Sequence, residues 1–214
     1  MDLAAAVFST LILLVGFWLL IARQIRAAVD GYAIQSILLG CLALALFGAT
    51  RDPDLLALGI LTIAIKGLAI PAVIERQAKT TYGKRELQYH VGFPTALLIG
   101  AGLTLIGFVA AARLPYHPAL LAEPVLGVAI AVTLLGFFTA MARRDAVLQL
   151  AGLLVAENGV ILVGLVVASG LGLLIEFAVF LDVLVGVAVM GFLIARMHET
   201  VSSTDTSELS RLRG

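Results

Sequence analysis

Residues 146–168 read AVLQLAGLLVAENGVILVGLVVA, apolar from end to end apart from Gln149 and the Glu157-Asn158 pair at the middle. The hydrocarbon core of a bilayer is about 30 Å thick and takes about 20 helical residues, so this run is long enough to cross it. It lies between Arg143-Arg144-Asp145 and Ser169-Gly170-Leu171-Gly172, charge and turn signals of the kind that separate spans. A carboxyl group in the centre of such a helix is costly, and it sets the question that the rest of the chain has to answer.

Working outward, six further runs meet the same length: about 3–22, 32–49, 55–74, 93–112, 121–142 and 173–195. The connections between them are brief, and none is long enough for a soluble domain. Hydrophobic residues make up 61% of the 214 positions and charged residues 13%. The mean hydropathy of +1.10 is far above what a soluble domain of this length sustains, so the bilayer is the solvent for much of the chain. The alternating ten-residue strands of an outer-membrane barrel are missing. These features predict an all-α polytopic membrane protein with seven transmembrane helices. The first run opens on Asp2 rather than a basic region and is long enough to span, so it reads as a helix and not as a cleaved signal. Asp52-Pro53 reads as an N-cap with proline in the first turn of the third helix, and Phe93-Pro94 opens the fourth in the same way.

The basic residues set the orientation. Arg23, Arg26, Arg76, Lys79, Lys84, Arg85, Arg143, Arg144, Arg196, Arg211 and Arg213 fall on one side, Arg51 and Arg113 on the other, and Lys66 lies within a helix. By the positive-inside rule the crowded side is cytoplasmic, which puts the N-terminus outside and the C-terminus inside. The expected location is a membrane that borders the cytoplasm, such as the cytoplasmic (inner) membrane of a prokaryote.

Four ionisable side chains lie inside apolar runs: Lys66 in the third, Glu157 in the sixth, and Glu176 and Asp182 in the seventh. Each charge near the bilayer centre costs about 2.5–3.5 kcal/mol on insertion scales, so it faces a partner or a wet cavity. Lys66 and Glu157 are close to mid-helix and Asp182 is slightly to the outer side. Glu176, about one turn from the outer end, is within reach of the interface. A lysine and carboxyls sharing a low-dielectric interior can pass protons between them, as a proton path requires. The competing reading is a static ion pair that holds helices together. Pro71 follows Lys66 in the same helix and cannot donate to the Gly67 carbonyl, which predicts a bend beside the lysine. The triplet Glu157-Asn158-Gly159 adds an amide and a bare backbone patch to the carboxyl in one turn. Gly152, Gly159, Gly164, Gly186 and Gly191 suit close approach of the last helices.

Cys41 is the only cysteine, which excludes an intrachain disulfide and a cysteine-ligated cluster. His90, His117 and His198 map to connections or helix ends, none spaced for haem ligation. Walker A, GxGxxG, HExxH and CxxCH motifs are missing. The chain therefore carries no catalytic centre or cofactor motif of its own, nor any sign of nucleic-acid binding. If it serves a redox reaction, partner subunits hold that chemistry.

The segment from Arg143-Arg144-Asp145 through Glu157-Asn158-Gly159, then Asp182 and the ending Leu212-Arg213-Gly214, resembles the three-helix K subunit of respiratory complex I. Asp182 stands where that family has its second membrane glutamate. The first would fall at Leu154, and Glu157 stands one turn later on nearly the same face. Over nearly its full length the chain resembles component E of hydrogenase-4 and related formate hydrogenlyase-type complexes. The matching features are Gly31-Tyr32 with Gln35-Ser36, Lys66 with Pro71, the Glu157-Asn158-Gly159 triplet and the tail. The resemblance implies a four-helix extension over 1–119, a K-like region over 120–197 and a cytoplasmic tail over 198–214. It also implies a membrane-arm subunit beside antiporter-like subunits. Such a subunit forms part of a proton or sodium path, driven by a peripheral redox module whose NiFe centre and iron–sulfur clusters lie in partner chains.

Three other readings stand beside it. A multisubunit cation/proton antiporter has a related small subunit, normally shorter than this chain. A stand-alone transporter would show inverted repeats and paired broken helices, and only the third helix here has an internal proline. A purely structural assembly subunit would lose no coupling when Lys66, Glu157 and Asp182 are neutralised.

Overall fold

In a computed structural model the described residues are 2–81, 92–114, 123–143 and 146–167, and every regular element among them is a helix. They are α1 (Asp2–Ile21), α2 (Ile25–Thr50), α3 (Pro53–Leu61), α4 (Ile70–Thr81), α5 (Phe93–Arg113), α6 (Glu123–Ala142) and α7 (Ala146–Val167). A π-helical segment, Thr62–Ala69, joins α3 to α4, so that Pro53–Arg76 is one span. Among the described residues six helices are long and apolar enough to cross a membrane, and they coincide with the first six of the seven runs read from sequence. The seventh run, 173–195, with Glu176 and Asp182, lies outside the described residues, as do the tail and the domain boundary at 119/120.

Local chemistry explains most of the boundaries. Asp52 caps α3 with its Oδ1 accepting from the Asp54 amide at 3.0 Å, and Pro53 occupies the first turn. Arg51 closes α2 in the left-handed region (φ 61°), and its amide donates to the Phe47 carbonyl at 2.8 Å. The second helix begins at Ile25, earlier than the apolar run at 32. Sequence reading stopped at the charges of Arg26 and Asp30, whereas a helix keeps its backbone hydrogen bonds as it leaves the hydrocarbon. The long arginine side chain meanwhile reaches to the surface.

The helices pack through small residues. A methyl group added at Gly159 would meet the Thr133 backbone nitrogen at 2.5 Å, and one at Gly136 or Gly152 would collide with the backbone of Ala156 or Ala140. α6 and α7 therefore touch backbone to backbone and form the buried centre. α1 and α2 lie against this pair, and α2 also packs along the α3–π–α4 span. Gly40 and Gly59 face each other there, each added methyl coming within 3.0 Å of the other's carbonyl oxygen. α5 covers α6 from outside and leaves Leu98, Leu105 and Ile106 exposed, an apolar surface suited to lipid.

Arg143 departs from its expected place among the surface charges. It is 1% exposed, and its Nη2 donates to the carbonyls of Leu19 (3.1 Å) and Leu20 (2.9 Å). These carbonyls belong to the last turn of α1, where backbone partners run out (the Ala22 amide reaches Leu19 at 3.3 Å) and the helix dipole favours a cation.

Candidate functional site

Most hydroxyl groups in these helices are satisfied locally. Thr10, Thr104, Thr133 and Thr139 each donate to the carbonyl four residues earlier and need nothing from a neighbouring helix. The strongly polar residues behave differently, because their side chains bridge helices.

Lys66 sits in the middle of the π-helical segment. The Ile70 amide donates to the Ile65 carbonyl, the i→i−5 bond that defines this wider turn. Proline at 71 cannot supply the next amide, and widening the turn ahead of it makes room for its ring. The bend expected from the sequence is thus realised as a π segment, with the lysine inside it. Lys66 Nζ lies 3.1 Å from Glu157 Oε2, with the two side chains 0% and 4% exposed. The two groups form a buried ion pair, opposite charges in close contact inside an apolar interior.

Asn158 extends the site away from the lysine. Its Nδ2 donates to Gln35 Oε1 at 3.2 Å and to Ser36 Oγ at 3.1 Å, both on α2. Gln35 Nε2 donates in turn to the Ile12 carbonyl of α1 at 3.0 Å. Lys66, Gln35, Ser36, Glu157 and Asn158 are all buried, and so is Tyr32, one turn before Gln35. A polar thread therefore runs from α1 through α2 and α7 to the π segment, at a depth where the surroundings are leucine, isoleucine and alanine.

Of the candidate path residues, the fold brings Lys66 and Glu157 into contact and leaves Pro71 to set the segment that carries the lysine. Asn158 supports the site by binding α2, and Gly159 by admitting α6. Glu176 and Asp182 lie outside the described residues. Sequence reading gave Gln35 and Ser36 no role of their own. The available signal was their spacing: Tyr32, Gln35 and Ser36 stand at i, i+3 and i+4 on an otherwise apolar helix, one polar stripe on one face.

No family model matches the chain, and no solved structure does. Among curated proteins, the uncharacterized protein Rv0085 of Mycobacterium tuberculosis is 33% identical over 199 residues, spanning 89% of this chain and 87% of that protein. Hydrogenase-4 component E of Escherichia coli K12 is 26% identical over 212 residues, 95% of this chain and 94% of that protein. Its counterpart in Shigella flexneri shows the same identity and coverage. The chain belongs to the family of the Mycobacterium tuberculosis protein Rv0085 and is a multi-pass membrane protein distantly similar to hydrogenase-4 component E.

Proposed function

We propose that this chain is a membrane-arm subunit of a multisubunit complex of the complex I or hydrogenase type, in which the Lys66–Glu157 pair is one element of a proton or sodium path. The observation that carries the reading is the 3.1 Å contact between a lysine and a glutamate buried in helices that otherwise avoid charge. A buried ion pair is expensive to desolvate and adds little stability over an apolar pair of the same volume. Use explains such a pair at mid-span better than stability does. The distant similarity to a protein named as a component of hydrogenase-4 supports a place in a redox-driven assembly.

On this reading the redox chemistry, with its NiFe centre and iron–sulfur clusters, resides in a peripheral module, and antiporter-like subunits flank the chain in the membrane. Asp182 and Glu176 continue the path from Glu157 towards the outer face in a seventh span, and the K-like region begins near residue 120. The N-terminus is outside and the C-terminus in the cytoplasm.

The test has two stages. Affinity purification of the native complex through this chain, followed by mass spectrometry, is expected to recover redox and antiporter-like subunits. Membranes holding the assembled complex are then compared with Glu157→Gln and Lys66→Met variants for ion uptake driven by electron transfer. Loss of uptake with assembly intact is the expected result. Unchanged uptake in both variants would leave the pair as a packing element and overturn the ion-path reading.

A further inference from the structure

Gln35 is fully buried on an apolar helix, where an amide without partners costs more than the side chain could return. Its hydrogen bonds settle which way the amide lies. The Ile12 carbonyl can only accept, so Nε2 points to α1 and Oε1 points to α7. Asn158 offers two N–H groups from Nδ2, and the two acceptors that receive them are neighbours on α2, Gln35 Oε1 and Ser36 Oγ. The asparagine is therefore gripped at two points by one helix, and one of those points is itself tied to a third helix.

Asn158 and Glu157 are adjacent on α7 and project about 100° apart around its axis. Whatever fixes the direction of Asn158 also fixes the direction of Glu157. A carboxylate about 6 Å from the helix axis moves roughly 2 Å sideways when the helix turns by about 20°, enough to break a contact of 3.1 Å. α2 is the helix suited to hold this angle, because it packs against both α7 and the π segment that bears Lys66.

We propose that Gln35 is a positioning residue for the Lys66–Glu157 pair: through Asn158 it holds α7 at the rotation that turns Glu157 onto Lys66. The proposal rests on the ion-path reading for its consequence in the complex, but its geometric content stands separately. Ser36 shares the grip, and Gln35 is the member that links it to α1.

The experiment compares Gln35→Leu, Gln35→Asn, Asn158→Gln and the double swap Gln35→Asn with Asn158→Gln in the assembled complex, beside Glu157→Gln. The swap keeps one amide on each helix and the same number of methylenes between them. Gln35→Leu is expected to lower redox-driven ion uptake about tenfold, the effect of orphaning a buried hydrogen-bonding partner, and to alter its pH profile. Gln35→Asn and Asn158→Gln each lower uptake, and the swap restores it to within about twofold of the parent. The distance between labelled Lys66 Nζ and Glu157 Cδ, read by solid-state NMR, is expected to lengthen in Gln35→Leu and recover in the swap. Gln35→Asn keeps an amide on α2 and serves where the leucine variant fails to assemble. An unchanged distance, or a swap no better than its parents, overturns the positioning role. A lengthened distance with unchanged uptake in both Gln35→Leu and Glu157→Gln leaves the positioning intact and removes the ion-path reading instead.

Discussion

The guanidinium of Arg143 donates to the Leu20 carbonyl at 2.9 Å, joining the end of α6 to the end of α1 across 123 residues of sequence. The same nitrogen also reaches the Leu19 carbonyl. Because the group is buried, its loss removes the donor to the Leu20 carbonyl and leaves the Leu19 carbonyl only the Ala22 amide at 3.3 Å. Arg143→Ala is expected to lower stability by about 2–3 kcal/mol, with Arg143→Lys intermediate, since a lysine has a shorter and less directional donor set. Unfolding in detergent, followed by circular dichroism, measures both.

The Lys66–Glu157 pair should respond differently to single and double replacement. Removing one partner strands a charge in an apolar interior, so Lys66→Met alone is expected to destabilise by about 3 kcal/mol or more. Lys66→Met combined with Glu157→Leu removes both charges and is expected to recover most of that loss. The same unfolding measurement gives the coupling energy. Additive single effects would mean that the two side chains do not hold each other.

The close contact of α6 and α7 makes a sharp contrast between glycines. A methyl at Gly152 would meet the Ala140 Cα at 2.8 Å, whereas nothing lies within 4 Å of one at Gly102 on α5. Gly152→Ala and Gly159→Ala are each expected to cost about 2 kcal/mol or more through helix separation. Gly102→Ala is expected to be neutral or slightly stabilising, since alanine favours the helix. Thermal midpoints of the three variants in one detergent check the order.

The π segment holds Lys66 at a particular angle relative to α3. Deleting Ala64, which is exposed within Thr62–Ala69, shifts everything beyond it by one residue, or about 100° around the helix. Either Lys66 leaves Glu157, or Gly59 leaves its close approach to Gly40. The expected result is a longer Lys66–Glu157 distance by solid-state NMR, with helix content unchanged by circular dichroism.

The proposed orientation has its own check. In a Cys41→Ser background, single cysteines at Asp52 and Gln24 fall at opposite ends of α2. In intact cells the cysteine at 52 is expected to react with a membrane-impermeant maleimide and the one at 24 to be protected, reacting only in inverted vesicles. The reverse pattern would invert the orientation.

The hydrophobic runs alone were enough to place all six spans of the described residues, because each run matches the bilayer thickness and no soluble alternative could accommodate them. The same is true of Lys66 and Glu157 as residues out of place, since a charge at mid-span is conspicuous whatever the fold. The Asp52 cap and the first-turn prolines Pro53 and Pro94 were legible too, being local devices. Partners were not legible. That Lys66 meets Glu157 depends on how three spans pack around α2, and continuous apolar helices have no periodic face that records their neighbours. Arg143 looked like one more surface charge until the end of α1 was placed beside it, and Gln35 looked incidental until Asn158 faced it. Composition and length determined that the chain lives in a membrane and where its costly residues fall. Which of those residues share a hydrogen bond was decided only by tertiary packing, where backbone contacts through glycine bring particular helices close enough for short side chains to reach one another.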